Sequence, residues 1–462
     1  MRLRGHTRTR PTLWTWTLAG LVFAIYTILS IARYERFASR SWDLAIFDVA
    51  VRQYANLHAP IVGIKGPEFN LLGDHFSPLL AILAPIYRLF PSAVTLLIAQ
   101  AGLIAVSVVP VSRLAIRHLG TAKGLGVACS YGLSWGLVQA VDSDFHEVCL
   151  AVPLLALALE AYVNGRWRSS AAWALPMVLV KEDLGLTVAV LGGCIALRGQ
   201  RRLGAALAGF GVAATAATVG LIMPAISDQS RYTYWDALVI PRRGHSPLAL
   251  AEHLLSPSVK LVTLALLFAT TGFLALRSTL SLLAVPTLLW RFLASSPTFW
   301  GWDWHYNAIL MPIIFVALID AVVLTRTSER PWLRVYGAQV ALAVVLPVAV
   351  GLAGQLPLRH LISPTTYRTD TRVAHLRAGL ALIPSGATVE AGSTVLAHLA
   401  SRCTVYLFGQ PNNPTPDYIA VDVAATSSPI DAAANAEKLH PEATYTLVYQ
   451  SREFLVVAHR NQ

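Results

Sequence analysis

Charged residues are scarce in this 462-residue chain: Asp, Glu, Lys and Arg together make up 13% of it. A soluble globular domain usually carries about 25%. Hydrophobic residues make up 55% of the sequence, and they recur in long runs between Thr12 and Gly354. Because a helix that crosses a bilayer needs roughly 20 apolar residues, this composition excludes a soluble enzyme and predicts a polytopic membrane protein.

Cysteine is also rare. Three of the four cysteines (Cys129, Cys149 and Cys194) fall in or beside apolar runs, and Cys403 stands alone. This placement indicates neither a disulfide framework nor a metal knuckle. The sequence also has no glycine-rich nucleotide cradle. No Ala-x-Ala-like cleavage site follows the first apolar run, so we interpret that run as a retained helix rather than a removed signal peptide.

The formal net charge of +11 raises the question of nucleic acid binding. The basic residues, however, lie between hydrophobic runs rather than along one face. That distribution is the positive-inside signature of membrane proteins. It predicts membrane lipids, and no nucleic acid, as partners.

The apolar runs predict eleven transmembrane helices, with the N-terminus in the cytoplasm and the C-terminus outside. They lie near 12–32, 92–113, 121–139, 148–164, 169–181, 184–198, 203–224, 258–276, 279–294, 306–325 and 333–353. The apolar stretch 77–90 is too short to span and is interpreted as a helix at the membrane surface. In this arrangement the inner segments hold sixteen Lys and Arg residues and a single acid, Glu329, whereas the outer loops before residue 354 hold ten basic residues and fourteen acids.

The composition changes after Gly354. Turn-forming residues fill 410–417, and short β-rich runs occur at 404–408, 418–423, 444–449 and 454–459, with helices predicted at 375–382 and 395–400. This pattern predicts a small α/β domain outside the membrane. The predicted layout is a cytoplasmic tail (1–11), a transmembrane domain (12–354) with a long first outer loop (33–91), and an extracytoplasmic α/β domain (355–462).

The predicted outer segments collect carboxylates, imidazoles and a lysine at one membrane face. Such groups cost several kcal/mol at bilayer depth and persist mainly when they are paired or functional. A cluster of Asp, Glu and His can act as a general base or hold a divalent metal ion. The candidate residues are Asp43, Asp48, Asp74, His75, Asp144, His146, Glu147, Lys181, Glu182, Asp183, His305 and Tyr306. In the loop 225–257, Arg242 and Arg243, with His245, are candidates for binding a phosphate, as is Arg291.

Each of these features also has a structural explanation. Asp43 and Asp48 can decorate a surface helix, and the acids of 142–147 can solvate a tight loop. The Lys181–Asp183 segment can form an internal ion pair at a helix break. The tryptophans of 300–304 are also typical of an interfacial aromatic belt, and Arg291 can extend to the lipid headgroups.

Five of these segments resemble a large family of predicted bacterial membrane proteins whose domain is of unknown function. The matching pieces are 42–48, 73–78, 144–147, 181–184 and 305–306. That family is similar to the GT-C glycosyltransferases. In the GT-C enzymes an acidic residue just after the first helix is the catalytic base or metal partner, and the donor is a polyprenyl-phosphate sugar. By position Asp43 matches this residue, with Asp48 second. The first loop lacks the Asp-Glu pair seen in several GT-C enzymes, which leaves the identity of the base open.

The resemblance implies an inverting sugar transfer at the outer face of the cell membrane. Asp43 would deprotonate an acceptor hydroxyl while the lipid phosphate leaves, its charge offset by Arg242, Arg243 or a divalent metal. Two alternatives stay open from the sequence. One is a lipid or solute transporter or flippase, which the charges of Lys181–Asp183 favour. The other is a non-catalytic protein of envelope assembly.

Overall fold

The computed structural model describes residues 13–38, 42–238, 247–368, 370–422, 432–451 and 455–461. Most of them are helical. Up to residue 217 the helices are α1 (Leu13–Glu35), α2 (Asp43–Ala55), α3 (Ala84–Leu89), α4 (Ala93–Leu119), α5 (Thr121–Gly132), α6 (Trp135–Asp142), α7 (Ala151–Val163), α8 (Trp167–Ala174), α9 (Leu184–Leu197) and α10 (Arg201–Ala217). They are followed by α11 (Met223–Ile226), α12 (Pro247–Leu255), α13 (Ser258–Ala269), α14 (Val285–Leu293), α15 (Leu310–Thr325), α16 (Pro331–Val340), α17 (Leu346–Ala353), α18 (Thr371–Ala381), α19 (Ser393–Leu399) and α20 (Ala432–Leu439).

Four of the described helical stretches are long and apolar enough to cross a membrane. They are Leu13–Glu35, Ala93–Leu119, Arg201–Ile226 and His305–Thr325. Two bent pairs, Ala249–Leu255 with Ser258–Ala269 and Pro331–Val340 with Ala343–Ala353, raise the number to six if each pair is one span. The chain is therefore a multi-pass membrane protein, and the count of eleven spans stays a prediction.

Several predicted spans consist of two shorter pieces. The span 169–181 comprises α8 and the 3₁₀ segment Leu175–Leu179, which carries Pro176. The span 279–294 comprises the 3₁₀ segment Thr279–Ala284 and α14, with Pro286 at its start. Proline has no backbone N–H to donate and clashes with the preceding turn, so continuous α-helix gives way at these positions.

The centre of the bundle is the stretch His305–Thr325, in which 89% of an apolar 18-residue window is buried. Helix α15 contacts α4 and α7, and α4 also contacts α1 and α5. The short segment 77–90 forms a 3₁₀ turn and α3, and its side chains Ile82, Ile86, Leu89 and Phe90 are exposed. An apolar exposed face of this kind suits the membrane surface.

The C-terminal part contains a five-stranded sheet. Its strands are β1 (Thr388–Ala391), β2 (Thr404–Leu407), β3 (Tyr418–Asp422), β4 (Tyr445–Gln450) and β5 (Leu455–Arg460), in the spatial order β2-β1-β3-β5-β4. Strands β2, β1 and β3 run parallel, whereas β5 and β4 pair antiparallel. The small C-terminal sheet is confirmed, but strand β1 was missed by the sequence pattern.

The sheet packs directly against the first loop. The Arg52 guanidinium of α2 donates a hydrogen bond of 2.9 Å to the carbonyl of Cys403. The His398 ring stacks between the rings of Tyr34 and Phe37, with centroids 4.1 and 3.7 Å away. Gly63 lets the ring of Tyr406 approach so closely that a Cβ there would lie 2.9 Å from it. The C-terminal part, through α19, Cys403 and β2, therefore packs on the loop that carries Asp43.

Candidate active site

A cavity of about 540 Å³ lies where the first loop meets the ends of several bundle helices. Nine of the predicted site residues line it: Asp43, His75, His146, Glu147, Lys181, Glu182, Asp183, His305 and Tyr306. They come from five separate stretches of sequence. The structure therefore brings together most of the ionisable groups that the sequence places at one membrane face.

The rest of the cavity wall is largely apolar and aromatic. It includes the side chains of Trp42, Phe47, Leu186, Val219, Trp235, Trp290 and Phe299. Cavities with apolar walls and a few convergent polar groups are the usual form of small-molecule sites. This one accommodates a ligand with both an apolar and a strongly polar part.

Asp43 is held by a histidine from a distant loop. It lies in the first turn of α2, where the helix dipole favours a carboxylate. Its Oδ2 atom is 3.2 Å from Nε2 of His146, and the His146 ring stacks on that of His305 at a centroid distance of 3.5 Å. The Asp43 side chain remains 30% exposed, so it is accessible from the cavity.

Gln100 of α4 fixes the loop that carries His146. Its Oε1 accepts from the backbone N–H of His146 at 3.0 Å, while its Nε2 donates to the carbonyls of Ala140 and Asp144 at 3.3 and 2.8 Å. A buried amide with these three partners makes the loop rigid.

A buried ion pair lies on the same cavity wall. Nζ of Lys181 is 2.8 Å from Oε1 of Glu147, and the two side chains are only 11% and 1% exposed. Burial would by itself raise the pKa of Glu147, but Lys181, His75 and His146 together outweigh burial and lower the pKa. Next to the pair, Asp183 accepts a hydrogen bond of 2.8 Å from the indole N–H of Trp290.

A second ionic group belongs to the first loop. Oδ2 of Asp74 accepts from Lys65 and lies 2.7 Å from Nδ1 of His75. Burial would raise the pKa of Asp74, but His75 and Lys65 lower it on balance. Burial would likewise lower the pKa of His75, but Asp74 outweighs burial and raises it. Nε2 of His75 is 3.3 Å from the Tyr234 hydroxyl, which links the first loop to 225–238.

Comparison with known proteins finds a solved structure with a similar fold and a family model that matches most of the chain. The fold is similar to that of ArnT from Cupriavidus metallidurans, whose crystal structure contains undecaprenyl phosphate: the TM-score is 0.55 and the identity 12%, over 97% of this chain and 98% of ArnT. At this identity the likeness shows the fold alone. A family model described as "Predicted membrane protein (DUF2079)" matches residues 33–461, a range that contains every candidate residue.

The chain belongs to the DUF2079 family. The resemblance that the sequence motifs indicate, both to a family of unknown function and to the GT-C fold, is confirmed. No curated protein matches the sequence.

Three predicted acidic site residues of this DUF2079 protein, Asp48, Asp74 and Asp144, do not line the cavity. Asp74 lies beside it, in contact with the cavity residue His75. Asp48 is fully buried on another face of α2, and burial raises its pKa to about 7 against the opposing effect of Tyr87. Asp144 is buried with a backbone φ of 65°, a left-handed conformation that aspartate tolerates better than most residues. In this loop the carbonyl of Asp144 accepts from Gln100, whereas His146 and Glu147 reach the cavity.

Three predicted phosphate-binding residues, Arg242, Arg243 and His245, lie outside the described residues. Arg291 is described, and it is fully buried. Its guanidinium donates to the carbonyls of Phe299 and Gly301 and to Oδ1 of Asn307, at 2.7, 2.7 and 2.9 Å. Arg291 therefore holds the loop before His305 rather than extending to lipid headgroups.

The sequence reasoning missed Lys65, Tyr232 and Tyr234, which also line the cavity. Lys65 has no distinguishing pattern around it. The two tyrosines are polar aromatic residues in a loop that the sequence predicts to be on the outer side, and this pattern could have identified them. Among the residues that the structure describes, no group of three or more His, Cys, Asp or Glu side chains is arranged to hold a metal ion. The divalent metal stays a prediction.

Proposed function

We propose that this protein is an integral membrane glycosyltransferase that transfers a sugar from a polyprenyl-phosphate donor to an acceptor at the outer face of the membrane. The observation that carries the proposal is the position of Asp43. Its carboxylate faces a cavity with aromatic and aliphatic walls, inside a fold similar to that of a protein crystallised with undecaprenyl phosphate.

The composition of the cavity supports a lipid-linked donor. The apolar wall suits the first isoprene units, while the ionisable groups suit the sugar and its phosphate. Lys65 and Lys181 both line the cavity, where they pair with Asp74 and Glu147. The proposed source of further positive charge for the phosphate is Arg242 and Arg243, which follow the cavity residue Leu238 in the sequence. Anionic leaving groups are stabilised by such fixed cations.

Asp43 is the proposed general base. Its Oδ2 takes the proton of the acceptor hydroxyl, and the hydroxyl oxygen bonds to the anomeric carbon of the donor sugar. The bond between that carbon and the phosphate oxygen breaks, and polyprenyl phosphate leaves with the electron pair, so the anomeric configuration inverts. When Nε2 of His146 carries the proton, it donates to Asp43 and orients the carboxylate. His146 is thus a positioning residue.

The charge distribution along α9 supports an outer location for the cavity. This helix begins at Leu184, directly after the cavity residues Glu182 and Asp183, and ends at Leu197, directly before Arg198. Its 14 residues span about 21 Å. The carboxylates and Arg198 therefore lie at opposite ends of one helix. The positive-inside rule places the arginine end in the cytoplasm and the carboxylate end outside. This agrees with the proposed arrangement of eleven spans, an inner N-terminus and an outer C-terminal domain.

The test is a transfer assay on the purified full-length protein in vesicles. Labelled polyprenyl-phosphate mannose, glucose, galactose and arabinose are supplied with envelope extract as the source of acceptor. We expect one donor to lose its label to the acceptor with wild type and with Glu252→Ala, an exposed acid outside the cavity. Asp43→Ala should lower the rate by about 10²–10⁴, the usual contribution of a general base.

Unchanged transfer by Asp43→Ala, in a protein that elutes normally on gel filtration, would remove Asp43 from the mechanism. Movement of the labelled lipid between leaflets without any sugar transfer would instead favour the flippase alternative.

A further inference from the structure

A second cavity, of about 340 Å³, lies beside the candidate active site. We call it the outer polar pocket. The residues used below to define it are Arg33, Gln139, Asp142, Asp303, Gln355 and Arg359. Of the described residues that line it, only Pro357 is apolar. Its chemistry is therefore unlike that of the larger, mainly apolar cavity around Asp43.

The pocket contains a buried polar atom that no described residue satisfies. Gln139 of α6 is 5% exposed, and its Oε1 accepts no hydrogen bond from the described part of the chain. A buried acceptor without a donor destabilises the structure that contains it. Because Gln139 lines the pocket, a ligand that donates a hydrogen bond there would remove this destabilisation.

Among the described residues of the pocket, the formal charges balance when His360, which also lines it, is neutral. Arg33 and Arg359 contribute two positive charges, and Asp142 and Asp303 two negative ones; Arg33 lies 2.8 Å from Asp142. A balanced set gives little net attraction to a phosphate or a cation. Carboxylates, amides and guanidinium groups together supply donors and acceptors in many directions, which suits a neutral ligand with many hydroxyl groups.

Two chain segments pass from the pocket into the active-site cavity. Asp142 lines the pocket, and His146, four positions later, lines the cavity. Asp303 lines the pocket, and His305 lines the cavity two positions later. Four and two residues reach at most about 14 and 7 Å. A ligand in the pocket is therefore close to the histidines that surround Asp43.

We propose that the outer polar pocket binds the acceptor as a neutral, hydroxyl-rich sugar, whereas the lipid-linked donor occupies the apolar cavity. The role of the bound sugar as acceptor rests on the transferase function proposed above. The binding of the sugar does not rest on it. Gln139 and Arg359 are the proposed contacts. Arg359 is exposed at the rim and forms no ion pair with a described residue.

The experiment measures sugar binding to the full-length protein in nanodiscs by saturation-transfer NMR and calorimetry. The probes are the methyl glycosides of mannose, glucose, galactose and arabinose, with glucose 6-phosphate as the charged comparison. We expect at least one methyl glycoside to bind. Gln139→Leu and Arg359→Gln should each weaken it about tenfold, as the loss of one ligand hydrogen bond does. Gln200→Leu, at the opposite end of α9, is the matched control and should bind as wild type does.

Three outcomes overturn the proposal. In the first, none of the methyl glycosides binds to wild type; in the second, both pocket variants bind them as tightly as wild type. The third is tighter binding of glucose 6-phosphate, because the pocket would then be an anion site. Arg359 is exposed, so Arg359→Gln tests the pocket even if Gln139→Leu does not fold.

Sugar binding that survives in Asp43→Ala while transfer is lost separates acceptor binding from chemistry. Sugar binding by a wild-type protein that transfers nothing would refute the transferase and leave the sugar site standing.

Discussion

Nε2 of His146 lies 3.2 Å from Oδ2 of Asp43, and the same imidazole stacks on His305 at 3.5 Å. The three residues come from α2, from the loop after α6 and from the start of the central span. Their contact joins the first loop to the centre of the bundle. The position of the proposed base is therefore set by two aromatic rings rather than by α2 alone.

The two histidines should differ in their effect on transfer. His146→Phe keeps a ring against His305 but removes the polar contact with Asp43, so we expect the transfer rate to fall about 10- to 100-fold, as for a displaced catalytic group. His305→Phe keeps both the ring stack and the contact between His146 and Asp43, so its transfer rate should fall less. His146→Gln should recover part of the rate, because its amide N–H can replace Nε2. Initial rates at saturating donor measure the difference, and equal losses in the two Phe variants would argue against a positioning role for Nε2.

Part of the site could be predicted from the sequence because sidedness alone collects residues at one membrane face. Asp43, His146, Lys181 and His305 lie in separate segments that the sequence predicts to be on the outer side, and the structure brings them to one cavity. The exclusion of Asp48 follows from helix geometry: five positions at about 100° each place it roughly 140° around α2 from Asp43.

Other features depend on tertiary packing that no local pattern records. Gln100 interrupts an apolar run, and a polar residue at membrane depth usually has a partner. Its three partners in 140–146 are evident only once α4 and α6 are packed together. Strand β1 has the sequence Thr-Val-Glu-Ala, whose glutamate and alanine are uncommon in strands, whereas β2 of equal length has the β-rich sequence Thr-Val-Tyr-Leu. The breaks in the predicted spans depend on prolines, whose effect in membrane helices varies with their neighbours.

Replacing Lys181 alone should destabilise the protein more than replacing both Lys181 and Glu147. Lys181→Met leaves Glu147 buried at 1% exposure without its cation, and a broken buried pair typically costs about 3–5 kcal/mol. The double variant with Glu147→Gln should recover most of this loss, because no buried charge remains. Thermal unfolding in one detergent compares the three proteins. If Lys181→Met melts at the same temperature as wild type, another group must neutralise the buried charge of Glu147.

The Asp74–His75 pair should make stability depend on pH. The raised pKa of His75 adds stability that is present below 6.5 and lost as pH rises through the folded value. The lowered pKa of Asp74 adds stability that is present above 3.8 and lost as pH falls through its folded value. The difference in melting temperature between wild type and Asp74→Asn should therefore be larger at about pH 5.5 than at about pH 8.5. A difference that grows with pH would contradict the pairing.

Cysteine labelling can test the proposed orientation. His58 is exposed in the first loop, and Thr327 is exposed after α15. We expect His58→Cys to react with an impermeant maleimide in intact cells, and Thr327→Cys only after permeabilisation. Ser143 is fully buried and is unsuited to this test. The reverse pattern would place the active-site cavity in the cytoplasm, where the proposed outer-face transfer could not occur.

The proposed donor phosphate would need more positive charge than the described cavity supplies. Four carboxylates line it (Asp43, Glu147, Glu182 and Asp183) against two lysines, Lys65 and Lys181. Arg242 and Arg243 follow the cavity residue Leu238 by four and five positions. We expect Arg242→Gln combined with Arg243→Gln to raise the donor KM by about tenfold or more, the effect of losing a charge-assisted phosphate contact, and to change kcat little. Arg231→Gln, whose arginine pairs with exposed Asp236, is the matched control. If the double variant keeps the wild-type KM while EDTA abolishes transfer, a divalent metal rather than these arginines neutralises the phosphate.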